Sequence, residues 1–210
     1  MSDYLKFFPL PFLDDIINGR CLPFIGAGFS LNAKFPVGKK MLDWDGLGKN
    51  VAAVLPNYQY TTAVEALSAY SHEFSRVKLV EMLSSALFIT EIQPAKTHEA
   101  FCRLPFERVV TTNFDFLLEQ GYSQISKYCN PIISEDQLAV GDSRAGVRLL
   151  KLHGDLHHPN RLIVTEEDYD SFLTSFPLIA THLSSLLIDH TALFIGYSLD
   201  DPDFDKFGRS

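Results

Sequence analysis

Short apolar runs alternate with longer amphipathic stretches along this chain, and four of the runs end in glycine or polar clusters. Cys21–Ile25 is continuously apolar and reads as a buried strand followed by a tight Gly26-Ala27-Gly28 turn. Residues 108–112, 147–152 and 191–195 read the same way, and residues 130–134 and 161–164 are further strand candidates. Helical spacing fills much of the rest. Residues 11–18 put Leu13, Ile16 and Ile17 on one face, with Gly19 as a natural stop. Val64, Leu67 and Tyr70 mark a helix over 62–71, and Val77, Val80, Leu83 and Leu87 another over 76–87. A short helix is expected from Thr97, which can cap it, to about 104. Residues 32–50, with Pro36, Gly38, Gly46 and Gly48, read as an irregular cap. Phe116, Leu117 and Leu118 open a helix that should stop at Gly121. Thr165 with Asp168 forms a capping pair for a helix to about 173, and residues 178–187 form one more.

Apolar strands alternating with helices predict an α/β fold: a Rossmann-like, mostly parallel sheet with helices on both faces and a helical insertion. Ligands of such folds bind outside the carboxyl ends of the strands. Four strands here end in Gly26-Ala27-Gly28, Asn113-Phe114-Asp115, His153-Gly154-Asp155 and Gly196-Tyr197-Ser198. If those strands are neighbours, the clusters make one site.

Composition narrows the chemistry. The 210 residues are 46% hydrophobic, enough for one sizeable core. A net charge of −8 argues against direct nucleic-acid binding, which needs a basic surface. Cys21, Cys102 and Cys129 are scattered, with no Cys-x-x-Cys pair, so no cysteine zinc site and no metal is expected. No apolar run approaches the ~18 residues of a membrane helix. The expectation is a soluble, cytoplasmic protein without a membrane association.

Two common nucleotide fingerprints fail. The third glycine of the dehydrogenase pattern is replaced by Leu31, and no strand precedes Asp43 or Asp45 at the ribose-binding distance. No Gly-Lys-Ser/Thr follows the first turn, so it is not a Walker loop.

The four clusters together resemble the sirtuin-like NAD-binding family. The residues carrying the resemblance are Gly26-Ala27-Gly28-Phe29-Ser30, Thr111-Thr112-Asn113-Phe114-Asp115 and Lys151-Leu152-His153-Gly154, followed by Phe194-Ile195-Gly196-Tyr197-Ser198-Leu199-Asp200-Asp201-Pro202. The last segment has the form seen in bacterial anti-phage domains. The likeness covers about residues 20–204 and implies a single NAD-binding domain over 1–210, with about 32–104 as a helical insertion or lid. The four-cysteine zinc module of protein-deacylating sirtuins cannot be built here, which sets a deacylase reading last. The defence branch of the family implies an NAD+ glycohydrolase, with NAD+ as substrate. It also implies a homo-oligomer, a partner defence protein or a C-terminal sensor domain, so the chain is expected to be part of a longer protein or a complex. A catalytically silent module that senses NAD or ADP-ribose and gates a partner is the alternative.

The residues suit that chemistry. Cleaving the ribose–nicotinamide bond passes through an oxocarbenium-like transition state and needs no metal. Asn113 can hold ribose hydroxyls and orient water, His153 can act as general base, and Asp115 can fix Asn113 or the ribose and favour the developing cation. Gly26, Ala27, Gly28 and Ser30 are expected around the phosphates and adjoining ribose, beside Thr112 and Gly154, and Gly196, Tyr197 and Ser198 at the adenosine half. Plainer roles compete: Asn113 as a helix cap, Asp115 as a helix-start acid, Tyr197 as core. His157 and His158 read as surface loop; His72, His98, His182 and His190 show no ligand spacing. The acidic group Asp200, Asp201, Asp203 and Asp205 reads as a solvated helix start.

Overall fold

The computed structural model describes residues 3–139 and 146–198. The expectations placed on residues 199–205, namely the end of the last motif and the acidic helix start, lie outside the described residues. A short 3-10 turn leads into α1 (Leu10–Ile17), then β1 (Cys21–Ile25) and the one-turn helix α2 (Ala27–Ser30). Four helices follow: α3 (Trp44–Ala52), α4 (Ala63–Phe74), α5 (Arg76–Ala86) and α6 (Lys96–Cys102). Next come β2 (Arg108–Thr111), α7 (Leu117–Gln124), β3 (Cys129–Ile132) and β4 (Val147–Lys151). The last elements are α8 (Glu166–Ser175), α9 (Pro177–Asp189) and β5 (Thr191–Ile195).

The five strands form one all-parallel sheet in the order β3-β4-β2-β1-β5. Phe24 pairs with Val110 and Phe194, and Val109 with Leu149, so the carboxyl ends of the central strands lie level. Parallel strands need crossover connections, and these put helices on both faces. Strand alternation sorts the core accordingly. Cys21, Ile25, Val109, Val147 and Leu149 face α1, α6 and α7, where Phe101, Leu118 and Tyr122 are buried. Leu22, Phe24, Val110 and Leu150 face the other way, against Ile179 and Leu183 of α9. Each such large apolar side chain contributes about 1.5–3 kcal/mol on burial.

A third apolar cluster holds the helices between β1 and β2 together. Leu47 and Val51 of α3 meet Ala66 and Leu67 of α4 and Leu79 and Leu83 of α5, and Phe114, Leu162 and Val164 join them from the sheet side. Lys34 and Gln93 exchange both backbone hydrogen bonds, at 2.8 and 3.1 Å, and so pinch the two ends of this block together.

Four elements differ from the sequence reading. α6 starts at Lys96 with Ala95 at its N-cap, where His98 Nδ1 accepts from Ala95 N–H, so Thr97 lies inside the helix and does not cap it. Within the stretch expected to be irregular, α3 forms. Asp43 caps it, its Oδ1 accepting from Gly46 N–H at 2.7 Å. Gly48 lies inside this helix because a Cβ there would stand 2.7 Å from the Ala63 Cβ of α4. α7 runs through Gly121 instead of stopping, since a Cβ at Gly121 would press on Cys102 Sγ of α6 at 2.9 Å. Residues 161–164 form no strand. Leu162, Ile163 and Val164 are buried outside the sheet, Leu162 and Val164 against the α3–α5 cluster, with Ile163 N–H donating to the His153 carbonyl.

Candidate functional site

The four motif-bearing strands, β4, β2, β1 and β5, are consecutive across the sheet, so their carboxyl ends converge. At β1 and β5 the convergence is glycine against glycine. Gly26 N–H donates to the Ile195 carbonyl at 2.9 Å and Gly28 N–H to the Gly196 carbonyl at 2.8 Å. Gly196 has φ +78°, and a Cβ on it would collide with the Phe29 nitrogen. A Cβ on Gly26 would meet the Tyr197 ring at 2.8 Å, and one on Gly28 the Gly196 carbonyl at 2.9 Å. The glycines therefore let two turns approach backbone to backbone. Tyr197 OH lies 3.0 Å from Thr112 Oγ1 and ties the β5 turn to β2.

At the end of β2 the side chains form a chain of hydrogen bonds. Thr111 Oγ1 donates to the Ile25 carbonyl at 2.8 Å and accepts from Asn113 N–H at 3.1 Å, which fixes the backbone just before the loop. Asn113 Nδ2 donates to the Gly26 carbonyl at 3.0 Å and to Ser30 Oγ at 2.9 Å. Ser30 Oγ–H donates in turn to Asp115 Oδ2 at 2.6 Å, and Asp115 Oδ1 accepts from Leu117 N–H at 3.0 Å. A carbonyl can only accept, so the amide nitrogen must face Gly26 and the orientation of Asn113 is determined. Both amide protons are then used, and Asn113 Oδ1 makes no hydrogen bond among the described residues. Asn113 is thus no helix cap; Asp115 serves the start of α7 and anchors Ser30 with its other oxygen.

At the end of β4, His153 is 5% exposed. Its ring meets Tyr169 of α8 edge-on at 5.3 Å and lies near Phe114 at 6.4 Å. The next residue, Gly154, has φ +69°, and a Cβ there would collide with the Arg161 carbonyl. Two residues before His153, Lys151 is fully buried. Its Nζ donates to the Asp115 carbonyl and to Glu119 Oε1, both at 2.7 Å, and stands 4.6 Å above the Phe116 ring. Burial raises the Glu119 carboxyl above its ordinary range, against the opposing pull of Lys151. The lysine thus joins the His153 strand to the Asn113–Asp115 loop.

These groups open on a cleft of about 650 Å³, counting the part open to solvent. Ala27, Ser30, Thr112, Asn113, Asp115 and His153 line it. Gly26, Gly28, Gly154, Gly196, Tyr197 and Ser198 are not among its walls; they shape the turns beside it, and Ser198 is exposed. The opposite wall was not foreseen from sequence. It consists of Met41, Leu42, Asp43, Trp44 and Leu47 at the start of α3, with Leu87, and Tyr169 closes the His153 side. The readable signal was Asp43 before the chain's single tryptophan, a helix cap hidden by the two glycines that follow. Tyr169 carried no signal.

The remaining histidines lie elsewhere. His98 is buried beside Phe29; its Nδ1 accepts from Ala95 N–H, and burial lowers its pKa despite the pull of Asp115. His157 stacks on Phe116 at 4.1 Å, and His158 Nδ1 pairs with Asp155 at 2.8 Å. Among the described residues no three His, Cys, Asp or Glu side chains gather as a metal site, and no single helix is long and apolar enough to cross a membrane.

A cleft at the carboxyl ends of parallel strands, with an oriented amide and a buried imidazole in its wall, can hold a polyol and move a proton at one of its hydroxyls. The family described as SIR2-like domain matches residues 107–210. A protein named NAD(+) hydrolase ThsA from Cytobacillus dafuensis is 27% identical over 195 residues, 92% of this chain and 38% of its own length. Its namesake from Bacillus cereus (strain MSX-D12) is 22% identical over 205 residues, 98% of this chain and 42% of that protein. Defense-associated sirtuin 2 of Bacillus subtilis is 25% identical over 187 residues, 88% of this chain and 18% of that protein. The chain spans about two-fifths of the length of the ThsA relatives it matches. The likeness to the ThsA relatives runs through both the cleft-forming strands and the helices between them, and over residues 107–210 this chain is similar to the SIR2-like domain family.

Proposed function

We propose that this chain is an NAD+ glycohydrolase domain acting in anti-phage defence, releasing nicotinamide from NAD+ to leave ADP-ribose or a cyclic variant. The observation that carries the reading is the state of Asn113. Its amide nitrogen is spent on Gly26 and Ser30, which leaves its oxygen to serve a cleft that it shares with His153. Four relatives bearing the name NAD(+) hydrolase support the same reading.

In this mechanism Asn113 Oδ1 accepts from a hydroxyl of the nicotinamide ribose or from the attacking water. His153 takes the proton released as water, or a ribose hydroxyl, attacks the anomeric carbon. The bond to nicotinamide breaks with its electron pair going to the ring nitrogen. Asp115 acts as a positioning residue: it holds Ser30, which holds Asn113, and its negative charge favours the oxocarbenium-like transition state. Ala27, Ser30 and Thr112 meet the ribose and phosphates. The turns shaped by Gly26, Gly28, Gly154, Gly196, Tyr197 and Ser198 carry the rest of the dinucleotide.

The domain is inferred to work in the cytoplasm, as a homo-oligomer or with a partner protein or sensor domain, without binding nucleic acid itself. Exposed apolar side chains in the first turns, Phe7, Leu10 and Ile17, support an oligomeric setting, which light scattering tests. For the activity, purified protein is given NAD+ and nicotinamide release is followed. Turnover that vanishes in Asn113→Ala and in His153→Ala supports the reading. NAD+ that raises Tm without any turnover, under every oligomeric condition and with the partner present, overturns it in favour of a sensing module.

A further inference from the structure

We infer that Arg108, Asn130, Arg148 and His182 form a binding site for a phosphate group, at the opposite end of the sheet from the cleft and separate from the function proposed above. Arg148 of β4 pairs in register with Arg108 of β2 on one side and with Asn130 of β3 on the other. All three stand at the amino ends of their strands, whereas the cleft opens at the carboxyl ends. Each lies two residues before a side chain buried on the α9 face, respectively Leu150, Val110 and Ile132, so strand alternation turns the three toward α9. From α9 comes His182, next to the buried Leu183. Neighbouring strands are about 4.8 Å apart, so the row spreads its donors across roughly 10 Å.

The row is short of negative charge. Like charges directly opposite on adjacent strands repel, yet neither Arg108 nor Arg148 forms an ion pair among the described residues. Arg148 Nη2 donates to the Leu138 carbonyl at 3.2 Å, and its Nε is buried with no hydrogen-bond partner among the described residues. Buried donors are nearly always satisfied, so an unpaired one beside a second guanidinium marks a place for an acceptor. Burial, and then the charges of Arg148 and Arg108, hold the His182 imidazole below its ordinary range. Glu135 meets α9 at its first turn, where one oxygen accepts from the Leu178 and Ile179 N–H groups. This gathering of positive charge stands in a chain of net charge −8. A phosphate group matches it. Guanidinium forks take phosphate oxygens two at a time, and the Asn130 amide and the His182 ring each have an N–H to add. The anion would offset the repulsion between the arginines and supply the acceptor that Arg148 Nε lacks.

Wild-type protein is titrated with inorganic phosphate, with ribose 5-phosphate and, at matched ionic strength, with chloride, and Tm is followed. Both phosphates should raise Tm saturably and chloride should not. The tighter of the two tells whether a free ion or a phosphomonoester is the better source. Arg108→Gln should weaken phosphate by about tenfold or more. Asn130→Ala, on a different strand, should weaken it by about threefold, so the site is tested twice even if one variant folds poorly. Arg103→Gln serves as the charge control, because Arg103 is exposed on α6 and paired with Glu99; it should respond to phosphate as the wild type does. A wild type that responds no more to phosphate than to chloride overturns the inference. So does a wild-type phosphate response in Arg108→Gln and Asn130→Ala. A loss in Arg103→Gln equal to that in Arg108→Gln assigns the effect to net charge and overturns it as well.

Discussion

Asn113 Nδ2 lies 2.9 Å from Ser30 Oγ, and the serine hydroxyl has only one proton, which goes to Asp115. Ser30 must therefore accept from Asn113, and the order of donors along the chain is fixed. Removing the hydroxyl in Ser30→Ala leaves Asn113 held by the Gly26 carbonyl alone and leaves Asp115 Oδ2 without a donor. A misplacement of about 1 Å at a reacting group can cost a hundredfold in rate. Nicotinamide release by Ser30→Ala is expected to fall by about that factor in kcat, with KM within about threefold of wild type. The unpaired buried carboxylate oxygen should also cost about 1–3 kcal/mol in urea unfolding. A Ser30→Ala enzyme with wild-type kcat would detach Ser30 from the mechanism.

The same geometry makes Asn113→Asp as damaging as Asn113→Ala, although it keeps the size of the side chain. A carboxylate would bring an acceptor oxygen against the Gly26 carbonyl, which is also an acceptor. Kinetics on both variants, with circular dichroism to confirm folding, check this. Activity retained in Asn113→Asp would mean that the amide nitrogen is dispensable.

Much of this site was legible because its parts sit at strand ends, where apolar runs stop abruptly. The runs ending at Ile25, Thr111, Lys151 and Ile195 mark strands, and the residues after them mark the cleft. The adjacency of those four strands needed the topology, since β4 lies beside β2 although β3 separates them in the chain, and β5, the last strand, lies beside β1, the first. The opposite wall was hidden for a different reason. Helix propensity disfavours Gly46 and Gly48 by up to about 1 kcal/mol each, and at Gly48 only the close packing of α3 on α4 offsets that cost. Residues 162–164 misled in the reverse sense: an apolar run is demanded equally by a sheet and by a helical cluster.

Gly196 carries a prediction on stability. Its φ of +78° and the closeness of the Phe29 nitrogen exclude a side chain. Gly196→Ala should cost more than the about 1–2 kcal/mol of a left-handed alanine, because the two turns must also separate. Since Gly28 N–H bonds to the Gly196 carbonyl, activity should fall together with Tm. An alanine variant with wild-type Tm would show that the turns tolerate separation.

Arg76 and Asp168 tie the helical block to α8, with Arg76 Nη1 2.7 Å from Asp168 Oδ2 and Nη2 bonded to the Leu162 carbonyl. Burial works to raise the Asp168 carboxyl. The Val164 and Thr165 N–H groups, with the Arg76 and Thr165 side chains, outweigh it and hold the group below its ordinary value of 3.8. A lowered carboxylate contributes stability that is present above its unfolded pKa and lost as pH falls through its folded one. Asp168→Asn should therefore cost about 1–3 kcal/mol at pH 7, and the gap to wild type should close as pH falls below about 4. Denaturant unfolding across pH measures this, and a gap independent of pH would assign the loss to packing.

The opposite sign is expected at Lys151. Its ammonium is buried with Glu119, and burial raises the Glu119 carboxyl even with the lysine present. Lys151→Met removes the counter-charge and should cost about 3–5 kcal/mol. A carboxyl with a raised pKa favours the folded state in its protonated form, so its contribution is lost as pH rises through the raised value. The Lys151→Met defect should accordingly be smaller near pH 5 than at pH 8. Adding Glu119→Gln should recover part of the stability at pH 8 and flatten the pH dependence. Recovery of the fold need not restore turnover, because Lys151 Nζ also holds the Asp115 carbonyl at 2.7 Å and so spaces the Asn113 loop from the His153 strand. A double variant that is stable but has reduced kcat would identify Lys151 as a positioning residue; one with wild-type kcat would confine it to stability.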